Sequence, residues 1–360
     1  MTTETPHADT SAAPAPALTP APTPAPARAR PRSALRAIGA GFADALQWRL
    51  LVLWAIGLLL PTAIVALPVW RSLAAQFDHS LDATRIAAGL EPVAVMGAIG
   101  AIGEQGAWFG GAGLGALVLT LLLSPWLTGM VVASIRTGYP LGFAGLAGGG
   151  VREYGRMLRM LLLSIVPLGI AFGIGAALMG IADKQTADAI LAADVDRARN
   201  IALGVTALLL VLAHASVEAG RGVMAADPAR RSVVRAWGRG VRLMLRRPVA
   251  IVLAYLATAL VGYGLALLFG LVRVQLSGSG WLHVLLGLAA TQLLVASIAW
   301  GRSARLYAMA DVARDDQRRH LARVRPARAP AKRRFWQRKP RQQRDEPQAV
   351  VEVPADAATA

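Results

Sequence analysis

Six stretches of the chain, at about residues 50–70, 113–134, 160–182, 200–220, 249–270 and 281–301, are apolar almost without interruption and carry charge only near their ends. A helix of about 20 such residues crosses the hydrocarbon of a bilayer, so each stretch is expected to span it. Pro61, Pro125 and Pro167 fall inside spans, where neighbouring helices satisfy the backbone groups a proline frees. A shorter apolar run at 92–103 ("PVAVMGAIGAIG") cannot cross, and is expected as an interfacial helix on the far side of the membrane from the termini. Residues 1–32 are rich in Ala, Pro and Thr and bury nothing, which predicts a disordered tail. The first apolar block reaches full spanning length, so it is expected to be an uncleaved anchor. Residues 33–310 form the expected membrane domain, and 311–360 a basic, largely disordered tail.

Between the apolar blocks the periodicity becomes helical and amphipathic. In "SVVRAWGRGVRLMLRRP" (232–248), Arg235, Arg239, Arg242 and Arg246 continue a stripe begun by Arg231, while Val233, Val234, Trp237, Val241, Met244 and Leu245 take the opposite face. Such a helix lies in the membrane interface with its arginines on anionic headgroups. A nucleic-acid-binding helix would also carry an arginine stripe. Its apolar face would then need a soluble core, and the chain offers no soluble domain.

The motif has relatives. Ser33, Arg36, Ala37, Gly39, Gly41 and Leu46 match Ser232, Arg235, Ala236, Gly238, Gly240 and Leu245, and a third copy, "GGGVREYGRML", keeps Gly148, Gly150 and Val151. Each copy precedes an odd-numbered span. The expected fold is therefore all-α and polytopic: six transmembrane helices arranged as three hairpins, each preceded by a cytoplasmic amphipathic interfacial helix. Repeats of this kind build bundles around an axis along the membrane normal.

Composition agrees with a membrane chain: 55% of the 360 residues are hydrophobic and 16% charged, against about 25% charged in soluble domains. Charge then sets orientation. Of the 38 Lys and Arg, all but Arg71, Arg85, Lys184, Arg197, Arg199 and Arg273 lie on the side of the termini, which the positive-inside rule places in the cytoplasm. Trp48, Trp70, Trp108, Trp281 and Trp300 flank spans, as an interfacial aromatic belt requires. Arginine and alanine are in excess, with lysine only at Lys184, Lys332 and Lys339, as expected of a GC-rich bacterial genome. Cysteine is absent, which excludes disulfides, thiolate metal sites and cysteine nucleophiles.

Candidate chemistry is sparse. His214, Glu218 and Arg221 share one face of the fourth span near its end; ionisable groups at such depth are functional candidates, and a structural ion pair is the expected role. One His and one Glu fall short of a metal set. Asp78, His79, Ser80 and Asp82 have the residue types of a catalytic triad but are too close in sequence to converge as one, so a helix cap is expected there. The Gly111/Gly115 and Gly169/Gly173 pairs suit close helix packing. "GGAGLG" enters an apolar span without a preceding strand and is not a nucleotide loop. No catalytic motif appears, and no cofactor or metal is expected.

The helix-before-hairpin pattern of "GGGVREYGRMLRMLLL" and "RRSVVRAWGRGVRLMLRRP", with "EAGRGVMAADPARRS" between the fourth and fifth spans, resembles a family of uncharacterised bacterial six-span inner-membrane proteins. It is also distantly similar to the membrane domain attached to some glycerophosphodiester phosphodiesterases, whose catalytic domain has no counterpart here. The resemblance implies architecture over residues 33–310. The function class expected is a non-enzymatic protein of the bacterial inner membrane, with both termini cytoplasmic, that organises or maintains the envelope. Its expected partners are the bilayer, anionic headgroups, and a second copy or another membrane protein, with no specific nucleic acid. The alternative is a transporter or channel for a small or apolar solute, which a cavity lined by Thr120, Ser124, Ser164, Thr291 and Gln292 would favour over a tightly packed bundle.

Overall fold

The computed structural model describes residues 34–77, 106–229, 232–276 and 280–324, together with Met96, Gly97, Gly100 and Gly103. Those four are all that is described of the helix expected at 92–103. Asp78, His79, Ser80, Asp82 and Arg231 lie outside the described residues, as do the expected tails before residue 34 and after residue 324.

Among the described residues the chain forms eight α-helices and no strand: α1 (Ala34–Ala45), α2 (Trp48–Phe77), α3 (Gly106–Thr137), α4 (Phe143–Gln185), α5 (Ala192–Ala226), α6 (Val233–Arg246), α7 (Pro248–Gln275) and α8 (Trp281–Val324). α2, α3, α4, α5, α7 and α8 are long and apolar enough to cross a membrane, and each contains one expected span. The protein is an all-α, multi-pass membrane protein. Pro61, Pro125 and Pro167 stand inside unbroken helices.

Two helices run well past the bilayer. With 43 residues in α4 and 44 in α8, each is about 65 Å long at 1.5 Å per residue, roughly twice the hydrocarbon thickness. In α4 the extra turns are the third amphipathic copy, which is continuous with its span, whereas α1 and α6 are separate helices. Pro248, at the first position of α7, separates α6 from the span that follows it. In α8 the helix continues through residues assigned by sequence to the tail. Between α3 and α4, Gly138 (φ 71°) ends α3 in the left-handed conformation and Pro140 follows.

Burial is concentrated at one end of the molecule, where α2, α4 and α7 begin and α3 and α5 finish. Every residue of α3 from Leu127 to Ile135 is buried, as is all of Ala215–Ala225 in α5 except Val223, and all of Gly301–Ala310 in α8 except Arg302. Towards the other end the same helices expose Leu114, Phe172, Leu203 and Leu282. Lipid tails solvate such side chains as well as protein does, so apolarity alone does not draw helices together there.

The packed end is built from one seam used three times. Gly41 of α1 lies against α8, where an added Cβ would be 2.8 Å from the Ala304 carbonyl oxygen and 3.1 Å from the Ala308 nitrogen. Gly150 of α4 lies against α3, 2.8 Å from the Trp126 carbonyl oxygen and 2.9 Å from Met130 by the same measure. Gly240 of α6 lies against Gly220 of α5 at 2.4 Å. An indole crosses each seam: Trp300 Nε1 donates to the Phe42 carbonyl (3.0 Å), Trp126 Nε1 to the Ala147 carbonyl (3.2 Å), and Trp237 Nε1 to Ser216 Oγ (3.2 Å). Each lead-in helix thus packs on the even-numbered span before it. α1, having none before it, packs on the last span and closes the three hairpins into a ring.

Polar groups tie the ring. At the end of α3, Arg136 pairs with Glu153 of α4 and donates to the Met224 carbonyl of α5 (2.8 Å). Arg314 of α8 stands at the equivalent place and donates to the Ile135 carbonyl of α3 (2.9 Å). Tyr307, Ser134 and Gln47 form a closed cycle: Gln47 Nε2 to Tyr307 Oη at 3.0 Å, Tyr307 Oη to Ser134 Oγ at 2.8 Å, and Ser134 Oγ to Gln47 Oε1 at 3.0 Å.

The glycine pairs singled out by spacing play no such part. An added Cβ at Gly111, Gly169 or Gly173 would meet nothing within 4 Å, and at Gly115 only Ile64 at 3.9 Å. Trp300 also differs from the expected belt: it packs inward on Phe42 (5.0 Å between ring centroids), whereas Trp48, Trp70, Trp108 and Trp281 are exposed near span ends.

Candidate functional site

Two places in the structure gather the candidate residues, the outer surface of α6 and the centre of the ring. Ser232 caps α6, its Oγ accepting from the Arg235 N–H. The helix then shows three faces rather than two. Val233, Ala236, Gly240 and Leu243 are buried. Arg235, Arg239, Arg242 and Arg246 are exposed along one stripe, and Val234, Gly238 and Leu245 are exposed along the stripe beside it. The apolar face expected from the helical wheel therefore divides: Val233, Trp237 and Met244 turn onto the protein, while Val234 (62% exposed) and Leu245 (76%) stay outside. Arg247, beyond the stripe, pairs with Asp315 at 2.8 Å.

At the centre of the ring, α5 brings His214, Glu218 and Arg221 together as their spacing predicts. Arg221 Nη1 donates to Glu218 Oε1 at 2.6 Å, and His214 Nε2 lies 3.6 Å from the same oxygen. The other nitrogen of His214, Nδ1, is 2.7 Å from the Tyr255 hydroxyl of α7. This row is a chain of proton donors and acceptors running from α7 into the protein interior. Arg221 and Glu218 form a buried ion pair in this geometry, and removing one partner leaves the other charged and unpaired.

The remaining members of the site come from α8. Arg302 lies over the Trp54 ring (5.6 Å to the centroid), and Arg305 over the Tyr255 ring (4.4 Å), with Arg305 Nε donating to Thr258 Oγ1 at 3.3 Å. Neither arginine forms a close salt bridge to a carboxylate among the described residues, and Glu218 is the carboxylate that acts on both through space. Together with Trp54, Glu218, Arg221 and Ser303 they line a cavity of about 20 Å³, room for one water or one small ion. Three of these lining residues carry a buried donor, Trp54 Nε1, Arg221 Nε and Ser303 Oγ, that finds no hydrogen-bond partner among the described residues.

Arg302 and Arg305 escaped the sequence reading because they fall just after the sixth span and count there as orienting charge. A signal was present. Ala299, Gly301, Ser303, Ala304, Ala308 and Ala310 continue a run of small residues past the span, the composition of a helix pressed against others and not of a free tail. Trp54 and Ser303 carry no comparable signal. Three of the four hydroxyls expected as pore lining serve their own helices: Thr120, Ser164 and Thr291 donate to the carbonyls of Ala116, Leu161 and Gly287. Among the described residues no cluster of His, Asp and Glu reaches the size a metal site needs. No family model, curated protein or solved structure matches this chain.

Proposed function

We propose that the protein resides in the bacterial cytoplasmic membrane with both termini in the cytoplasm, and that it organises or maintains that membrane through contacts with lipid or with membrane-protein partners, a second copy included, rather than by catalysis. One observation carries this reading: on α6 an exposed arginine stripe runs beside an exposed apolar stripe, at the end of the molecule where the basic loops lie. Such a surface rests on a leaflet, with valine and leucine among the upper acyl carbons and guanidiniums on anionic headgroups. The same basic excess orients the chain, and the resemblance to six-span inner-membrane proteins points to the same membrane. The local hydrogen bonds of Thr120, Ser164 and Thr291 favour a packed scaffold over a pore. Transport of a small solute is the competing reading, and the His214–Tyr255 row is the observation that favours it.

The experiment is extraction of the protein from bacterial membranes in polymer nanodiscs, with mass spectrometry of the lipids and proteins retained. Enrichment of anionic lipid over the bulk membrane, lost when Arg235, Arg239, Arg242 and Arg246 are all changed to Gln, supports the reading. Retained lipid of bulk composition in both proteins overturns it.

A further inference from the structure

We infer that the cavity where α2, α3, α5 and α8 meet is a binding site for one phosphate-sized oxyanion. This inference is independent of the α6 surface, because none of the cavity's lining residues belongs to α6.

Charge is the first argument. Three arginines line the cavity, and the one carboxylate among its lining residues, Glu218, is engaged by Arg221 at 2.6 Å. Arg302 and Arg305 are held by aromatic rings and a threonine hydroxyl, which position a cation without neutralising it. Arg305 is only 3% exposed. Buried cations are kept where a counter-charge reaches them, and a bound anion supplies one.

Hydrogen bonding is the second argument. Three lining residues, from α2, α5 and α8, each carry an unpartnered group that can donate: the indole N–H of Trp54 (3% exposed), the Nε–H of Arg221 (6%) and the hydroxyl of Ser303 (1%). A ligand that only accepts matches lining residues whose unpartnered groups are donors. A tetrahedral oxyanion presents acceptors in several directions and is the natural match for a planar guanidinium fork. The space available limits the bound part to one small ionic group.

The ring does not need these charges for its packing. Arg221 directly follows Gly220 at its seam, as Val131 follows Met130 and Met309 follows Ala308 at the other two. The same architectural position is thus filled by valine, methionine and arginine. Packing is met by the first two, so the arginine on the cavity answers a different demand.

The shared chemistry is a phosphate group, carried by inorganic phosphate or by a phospholipid headgroup. The test uses the full chain in nanodiscs. In phosphatidylcholine discs, inorganic phosphate is titrated against the thermal midpoint with chloride as the ionic-strength control. In phosphatidylglycerol discs, native mass spectrometry after detergent release counts retained lipid. Saturable stabilisation by phosphate beyond that of chloride assigns the free anion. One tightly retained phosphatidylglycerol without a phosphate response assigns the headgroup. In either case Arg302→Gln and Ser303→Ala, neither of which touches a seam glycine, weaken binding about tenfold, the loss expected for one charge-assisted hydrogen bond. Glu218→Gln, which removes the competing carboxylate and keeps an acceptor for Arg221, tightens it. Equal stabilisation by chloride and phosphate with no retained lipid overturns the inference, as does binding that Arg302→Gln and Ser303→Ala leave unchanged.

Discussion

Gly240 of α6 rests on Gly220 of α5 so closely that a Cβ on Gly240 would stand 2.4 Å from the Gly220 backbone nitrogen. Two residues earlier, Gly238 faces open space. This contrast within one helix makes a paired prediction. Gly240→Ala forces the two helices apart and costs about 1–3 kcal/mol, as overpacking does. Gly238→Ala is neutral or stabilising by up to about 1 kcal/mol, because alanine is the better helix former. Thermal unfolding in detergent checks both, and equal midpoints for the two variants would sink the seam. Gly41 against Gly39, and Gly150 against Gly148, repeat the comparison in the other two seams.

The cycle of Tyr307, Ser134 and Gln47 joins the α1–α2 turn, α3 and α8. Tyr307→Phe removes one donor and one acceptor while keeping the ring's volume, and should cost about 1–3 kcal/mol at roughly 1 kcal/mol per hydrogen bond. Ser134→Ala added to Tyr307→Phe should cost less than the two changes apart, since both break the same cycle. A double-mutant cycle on thermal or denaturant unfolding measures this, and strict additivity would show that the cycle does not act as a unit.

Glu218→Ala leaves Arg221 buried beside Arg302 and Arg305 with no carboxylate near it. Destabilisation of about 3–5 kcal/mol is expected from breaking a buried pair on one side. Changing Arg221 to Met in the same chain should recover part of that loss. The yield of monodisperse protein and its unfolding midpoint are the readouts, and a double variant no better than Glu218→Ala alone would contradict the pairing.

His214→Ala with Glu218→Gln separates structure from transport. The first change removes the hydrogen bond to Tyr255, and the second keeps Arg221 hydrogen-bonded. For a scaffold, growth and envelope integrity in cells carrying the double variant stay at wild-type level. Loss of solute flux in vesicles, with the protein still folded, would move the assignment to transport.

Orientation is tested directly. A reporter active only in the periplasm, fused after the last residue, should stay silent, and one fused within 92–103 should be active. The reverse pattern would overturn the positive-inside assignment.

Six spans, their hairpin pairing and the lead-in motif were legible in the sequence. Each depends on a local property: an apolar run of fixed length, a polar interruption, or an i, i+3, i+4 stripe. The packed end was only partly legible. Three copies of Gly-x-Gly announced a repeat, but nothing local distinguishes Gly41, whose place is against α8, from Gly39, whose place is open. Gly169 and Gly173 have the better-known spacing and touch nothing. Which glycine is needed depends on what lies across from it, and that is set by how the ring closes. The central site shows the same division. His214, Glu218 and Arg221 meet because one helix turn places them together, whereas Arg302, Arg305, Trp54 and Ser303 join them from helices distant in sequence. Helix periodicity is a short-range consequence of backbone geometry and is written along the chain. The convergence of buried charge on one cavity is a property of long-range packing, and only the tertiary structure decided it.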